Sequence, residues 1–194
     1  MPDIPKPCKQ EVEKYLEQWK NNDKFVDLDK CLNHMFEKYP NNNDLNGILI
    51  KVTLLNTFYG TNIKDVYTVA KHILECNIDV SLNKGDEAII DKIANVTFVD
   101  KNNKQKTMRL YSFATKYCSF HKPDFYPMYD SYLEKLLRYF RDEYKFDNFK
   151  TEDLKNYSKY KQILERFKKH YQINNYSVKE IDEYLWQLGK KEFA

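Results

Sequence analysis

Residues 111–140, YSFATKYCSFHKPDFYPMYDSYLEKLLRYF, decide how the rest of the chain is read. An aromatic, apolar helical stretch ends near Phe120, prolines follow at 123 and 127, and a second helical stretch starts at or just after Asp130. Proline fixes its own φ and drives the preceding residue out of the helical region, so HKPDFYPMY is a rigid, extended connector. Asp130 then stands where the new helix exposes its unpaired N–H groups, as an N-cap.

Outward from this stretch, the periodicity is helical almost everywhere. Towards the N-terminus, Val12, Tyr15, Leu16 and Trp19 share one face after a loose tail, residues 1–7. Phe25, Leu28, Leu32, Met35 and Phe36 share another, which stops at Tyr39-Pro40. Asn41 to Asp44 reads as linker and cap. LNGILIKVTLLNTFY (Leu45–Tyr59) is apolar on more than one face, the mark of a helix surrounded by others. Gly60 ends it, and Thr61 or Asn62 is expected to cap a helix carrying Ile63, Val66, Tyr67, Ala70, Ile73 and Leu74. A shorter helix is expected over Asn83–Ala94. Residues 96–106 are the one strand-like stretch, with DKNNK as a turn. Towards the C-terminus, Leu133, Leu136, Leu137 and Phe140, then Tyr160, Ile163, Leu164 and Phe167, repeat the helical spacing. A capping box at Ser177–Glu180 opens a last helix expected to end at Gly189. The class is all-α, about nine helices, as one domain 1–194 or as two lobes: about 45–130, and 1–44 with 131–194.

Composition narrows the chemistry. No apolar run approaches the roughly 20 residues that span a bilayer, and the N-terminus has no signal-peptide core, so a cytoplasmic protein is expected. Cys8, Cys31, Cys76 and Cys118 are scattered, which fits free, mostly buried thiols. His34, His72, His121 and His170 are isolated, with no metal-binding spacing, phosphate loop or nucleophile elbow, so neither metal nor cofactor is expected. Residues 1–100 hold 12 Lys against 16 Asp and Glu, a balance of −4; residues 101–194 hold 20 Lys and Arg against 13, a balance of +7. A basic half suits a polyanion such as DNA. Lys116 is expected to snorkel to solvent. Tyr111, Tyr117 and Phe120 read first as core.

ATKYCSFHKPDFYPMYDSYL, with LIKVTLLNTFYGTNI (Leu49–Ile63) as an early buried helix and IDEYLWQLG (Ile181–Gly189) closing the domain, resembles the helix-hairpin-helix DNA glycosylase superfamily. The resemblance implies a catalytic role for Asp130 on the Pro127–Leu133 segment. It implies a base pocket of Tyr117, Phe125, Tyr126, Tyr129 and Tyr132, and DNA contacts from Lys104, Lys106, Arg109, Lys116, His121, Arg138 and Arg141. The hairpin itself is missing, since no glycine lies between Gly85 and Gly189. Duplex anchoring then falls to another element, the loop at Lys101–Lys106. The nucleophilic lysine of bifunctional members is expected near Tyr111 and Ser112, and Lys116 lies closer to the Asp than that, so monofunctional excision is implied. The alternatives are a non-catalytic nucleic-acid-binding module and a protein-interaction module.

Overall fold

The computed structural model describes residues 4–99 and 101–194. Ten α-helices, a short 3-10 helix and one two-stranded hairpin make up the described residues. The chain forms two compact units: the described part of Met1–Val26 with Pro127–Ala194, and Asp27–Tyr126. The first boundary lies inside a helix, not at the Asn41–Asp44 linker, because that linker is held within the second unit by buried side chains.

In the first unit, α1 (Lys9–Lys20), α8 (Ser131–Tyr144), α9 (Tyr157–His170) and α10 (Val178–Phe193) carry the core. Each buries the face that its spacing marks: Leu133, Leu136, Leu137 and Phe140 on α8, and Ile181, Tyr184, Leu185 and Leu188 on α10. Helix α10 packs against both α1 and α8. Asn156 caps α9 through the N–H of Lys159, and the 3-10 helix Thr151–Lys155 precedes it. The Ser177–Glu180 capping box is formed.

Gly189 does not end α10; the helix continues to Phe193. The glycine is there for packing. A Cβ at 189 would lie 2.7 Å from the Tyr132 Cβ and 3.0 Å from the Tyr132 carbonyl oxygen, so α8 and α10 meet there at a distance that only glycine allows.

The second unit contains most of α2 (Asp23–Lys38), then α3 (Leu45–Tyr59), α4 (Val66–Cys76), α5 (Asp79–Asn83), α6 (Ile89–Ala94), β1 (Asn95–Val99), β2 (Gln105–Arg109) and α7 (Tyr111–His121). Helix α3 packs on α4 and α7. Asp44 caps it through Gly47 N, 2.8 Å away, and Gly60 in the left-handed region stops it. The cap of α4 is Asp65, which accepts from Thr68 N, rather than Thr61 or Asn62. Asn56 occupies Thr61 and the Ile63 N–H, which holds that stretch outside the helix. The expected Asn83–Ala94 helix is broken at Gly85, whose φ of 70° no helix tolerates, so α5 ends and α6 starts afresh. The strand-like stretch is a hairpin, with Val96 opposite Met108 and Phe98 opposite Lys106.

Among the described residues no helix is long and apolar enough to cross a membrane. All four cysteines are unpaired; Cys76 and Cys118 are buried, whereas Cys31 is exposed and Cys8 half-buried.

Gly189→Ala tests the close approach. Alanine is the better helix former by about 1 kcal/mol, yet overpacking at this contact should leave the variant about 1–3 kcal/mol less stable in urea denaturation.

Candidate functional site

The chemistry-bearing groups fall into two clusters, one in each unit. The first surrounds Asp130. This half-buried residue adopts extended backbone angles, and its Oδ1 accepts from Tyr132 N at 2.9 Å, the expected cap. The connector before it is fastened at three points. Met128 N donates to the buried carboxylate of Asp182 at 2.8 Å. Tyr157 donates its hydroxyl to the Pro127 carbonyl, and Tyr160 to the Met128 carbonyl. Tyr129 is buried, with its hydroxyl donating to Glu134 and accepting from Lys155. Lys155 also pairs with Glu134 at 2.7 Å. Asp130 is therefore a carboxylate on a rigid mount, the kind of support that positions a functional group.

The expected cationic residues of this unit do not gather at Asp130. Arg138 is exposed and leans on Glu134 at 3.8 Å. Arg141 lies eleven residues along α8, roughly 16 Å at helical rise. Its guanidinium donates to Asp142 and to the Phe149 carbonyl, so its charge is spent locally. Arg141 lines an open depression of about 580 Å³ with Asp142, Lys145, Asp147, Asn148 and Phe149, at the far end of the helix from Asp130.

The second cluster is built on α3 and α7. Lys51 is 0% exposed. Its ammonium donates to the Tyr39 and Asn41 carbonyls and to Asn42 Oδ1, and stands 3.2 Å from His121 Nε2. Asn42 gives both its side-chain and backbone N–H to Asp79 and accepts from the Tyr117 hydroxyl. Burial pulls the Lys51 pKa down to about 8, with Asp79 opposing the shift. His121, its ring enclosed by Phe36 and Tyr117 although the residue is partly exposed overall, is held well below the usual histidine range by desolvation and then by the Lys51 and Lys122 charges. His121 is thus part of a folded network with Lys51.

Lys116 corrects the snorkelling expectation. It is 2% exposed, and its amine donates to Ser112 Oγ at 2.6 Å, one turn back on α7. The helix buries nine of its eleven residues, so no face leads that side chain to solvent. Tyr117 and Tyr126 are core residues with engaged hydroxyls, the latter donating to the Asp86 carbonyl. Phe125 is 44% exposed and covers Gly85. Of the expected pocket, Tyr117, Phe125 and Tyr126 belong to one unit, and Tyr129 and Tyr132 to the other. Arg109 pairs with Asp91 at 2.7 Å and lies over the Tyr111 ring. Lys104 and Lys106 are exposed on the hairpin.

Sequence reasoning missed Lys51, Asn42, Asp79 and Asp182. Lys51 did leave a signal: it is the one cation on α3, set among Ile48, Val52 and Leu55. Among the described residues no group of three or more His, Cys, Asp or Glu is arranged to hold a metal.

A family described as an N-terminal domain, HI_0787_N, matches residues 11–125, a span that includes Lys116 and the hairpin and ends before Asp130. A protein of Haemophilus influenzae described as uncharacterized is 43% identical over 147 residues, which cover 75% of this chain and 68% of the relative. No solved structure matches.

The Lys51–His121 contact predicts acid sensitivity. His121 has a lower pKa folded than unfolded, so the stability it allows is present above about pH 6.5 and is lost as pH falls below that, by at most about 1.4 kcal/mol per pH unit. Thermal melts from pH 7 to pH 5 should show this decline, and His121→Gln should flatten it.

Proposed function

We propose that this chain, which belongs to the HI_0787_N family, is a DNA-binding protein of glycosylase type that removes a base hydrolytically with Asp130. The observation that supports the reading is the fastened mount of that carboxylate: Met128 N on Asp182, Tyr160 on the Met128 carbonyl, and Asp130 itself at the start of α8. Buried backbone groups are paired in any fold; what bears on chemistry is that this pairing holds the Asp130 carboxylate in one place. In the reaction the N-glycosidic bond breaks, positive charge develops on the sugar, and the carboxylate stabilises that charge or orients the water that adds to C1′. The base departs with a proton. Such an enzyme takes the target nucleotide out of the stack before it can act, so affinity for distorted or abasic duplex accompanies the activity.

Asp130→Asn separates catalysis from folding, since Asn caps as well as Asp. Its stability should stay within about 0.5 kcal/mol of the parent, while excision from a panel of damaged duplexes falls at least 100-fold. If the parent binds abasic duplex but excises nothing, the protein is a non-catalytic binder. If it does not bind abasic duplex even at low salt, the DNA reading fails.

A further inference from the structure

The hairpin β1–β2 is anchored at one end and exposed at the other. At its root Val96 is buried, Leu110 N donates to the Ala94 carbonyl at 2.8 Å, and β1 packs on α4 and α6. Arg109 ties the other strand to Asp91. Beyond the root the ribbon leaves the core. All five residues of β2 are exposed, and so are residues 101–104. Val99 is 60% exposed and Met108 44%. The register puts them on opposite faces, Val99 beside Gln105 and Met108 beside Val96. An antiparallel sheet ordinarily buries one face, and two strands alone are marginal in water. Wetting both faces of a strand brings the fold nothing.

The ribbon carries more positive than negative charge: residues 95–109 hold Lys101, Lys104, Lys106 and Arg109 against Asp100. Lys101, Lys104 and Lys106 lie on the exposed part of the ribbon.

We infer that this ribbon is the element that grips duplex DNA, entering the major groove with Lys101, Lys104 and Lys106 on the flanking phosphates. The inference rests on the DNA reading above. It replaces the helix-hairpin-helix anchor that the sequence lacks. The dimensions fit: the groove, about 12 Å wide and 8.5 Å deep, admits a two-stranded ribbon, and five-residue strands reach about 17 Å. Asn103, in the left-handed region at the turn, and Gln105 supply amide groups of the kind that pair with base edges.

The test is a salt titration of binding to an undamaged duplex, for the parent and for Lys101→Gln/Lys104→Gln/Lys106→Gln. The substitutions are on the surface and leave the root intact. The variant should bind at least tenfold more weakly at low salt, with the slope of log affinity against log salt reduced by about two to three. Dimethyl sulfate should find guanine N7 protected by the parent and not by the variant, since that atom faces the major groove. A variant with unchanged affinity and slope overturns the inference and leaves the DNA reading standing. A parent that binds no duplex overturns both. A variant that binds duplex normally but loses retention on an acidic polypeptide assigns the ribbon to a protein partner and overturns the inference.

Discussion

The second unit is organised by one buried charge. An ammonium taken out of water costs several kcal/mol unless donors find acceptors, and Lys51 recruits two carbonyls, an amide oxygen and an imidazole nitrogen. The neighbours follow from that demand. The α2–α3 linker turns its Tyr39 and Asn41 carbonyls inward, Asn42 is buried to bridge Lys51 to Asp79, and Tyr117 of α7 donates to the same amide oxygen. A side chain that could have been aliphatic instead fixes where a linker, α5 and α7 stand. Replacing one partner leaves the others unsatisfied, which is why such networks specify a single arrangement.

In the first unit the corresponding constraint is a short connector. Proline at 127 removes one backbone donor, and the remaining polar groups of Pro127 and Met128 are taken by Asp182, Tyr157 and Tyr160. The tyrosine richness of the sequence finds its use here. A phenol is long enough to pack its ring in the core and still reach a carbonyl with its hydroxyl. Tyr157 and Tyr160 lie on α9 and Asp182 on α10, so the segment that carries Asp130 depends on two separate helices of the C-terminal half.

What was legible in the sequence is what local physics decides. The Leu133, Leu136, Leu137, Phe140 stripe, the Asp44 and Asp130 caps, the Ser177–Glu180 box and the turn-bracketed strands need only neighbours in sequence. What was not legible depends on partners far along the chain. Lys116 looked like a surface lysine because periodicity cannot say that α7 is enclosed all round. Gly189 looked like a helix end because the closeness of Tyr132 is not written near it. The Asn83–Ala94 stretch has helical composition, and only the left-handed angle at Gly85 breaks it. Asp182 sits on an aromatic helix, and its role emerges only when Met128 arrives, 54 residues away.

Charge shows the same limit. The contrast between halves of the sequence, −4 against +7, does not survive the division into units. Asp27–Tyr126 holds thirteen Lys and Arg against twelve Asp and Glu, and the remainder of the chain nineteen against seventeen. A protein near balance in both units has no long-range field with which to attract a polyanion, since salt screens beyond about 8–10 Å. Any attraction must come from where like charges stand together and point outward. Arg141 is neutralised by Asp142, Arg109 by Asp91 and Arg166 by Asp147, each through a close ion pair. Lys116 is buried. On the hairpin three lysines fall within six residues, and every described position from Lys101 to Arg109 faces water. Composition gives net charge alone; the fold shows which lysines stand together on an exposed ribbon.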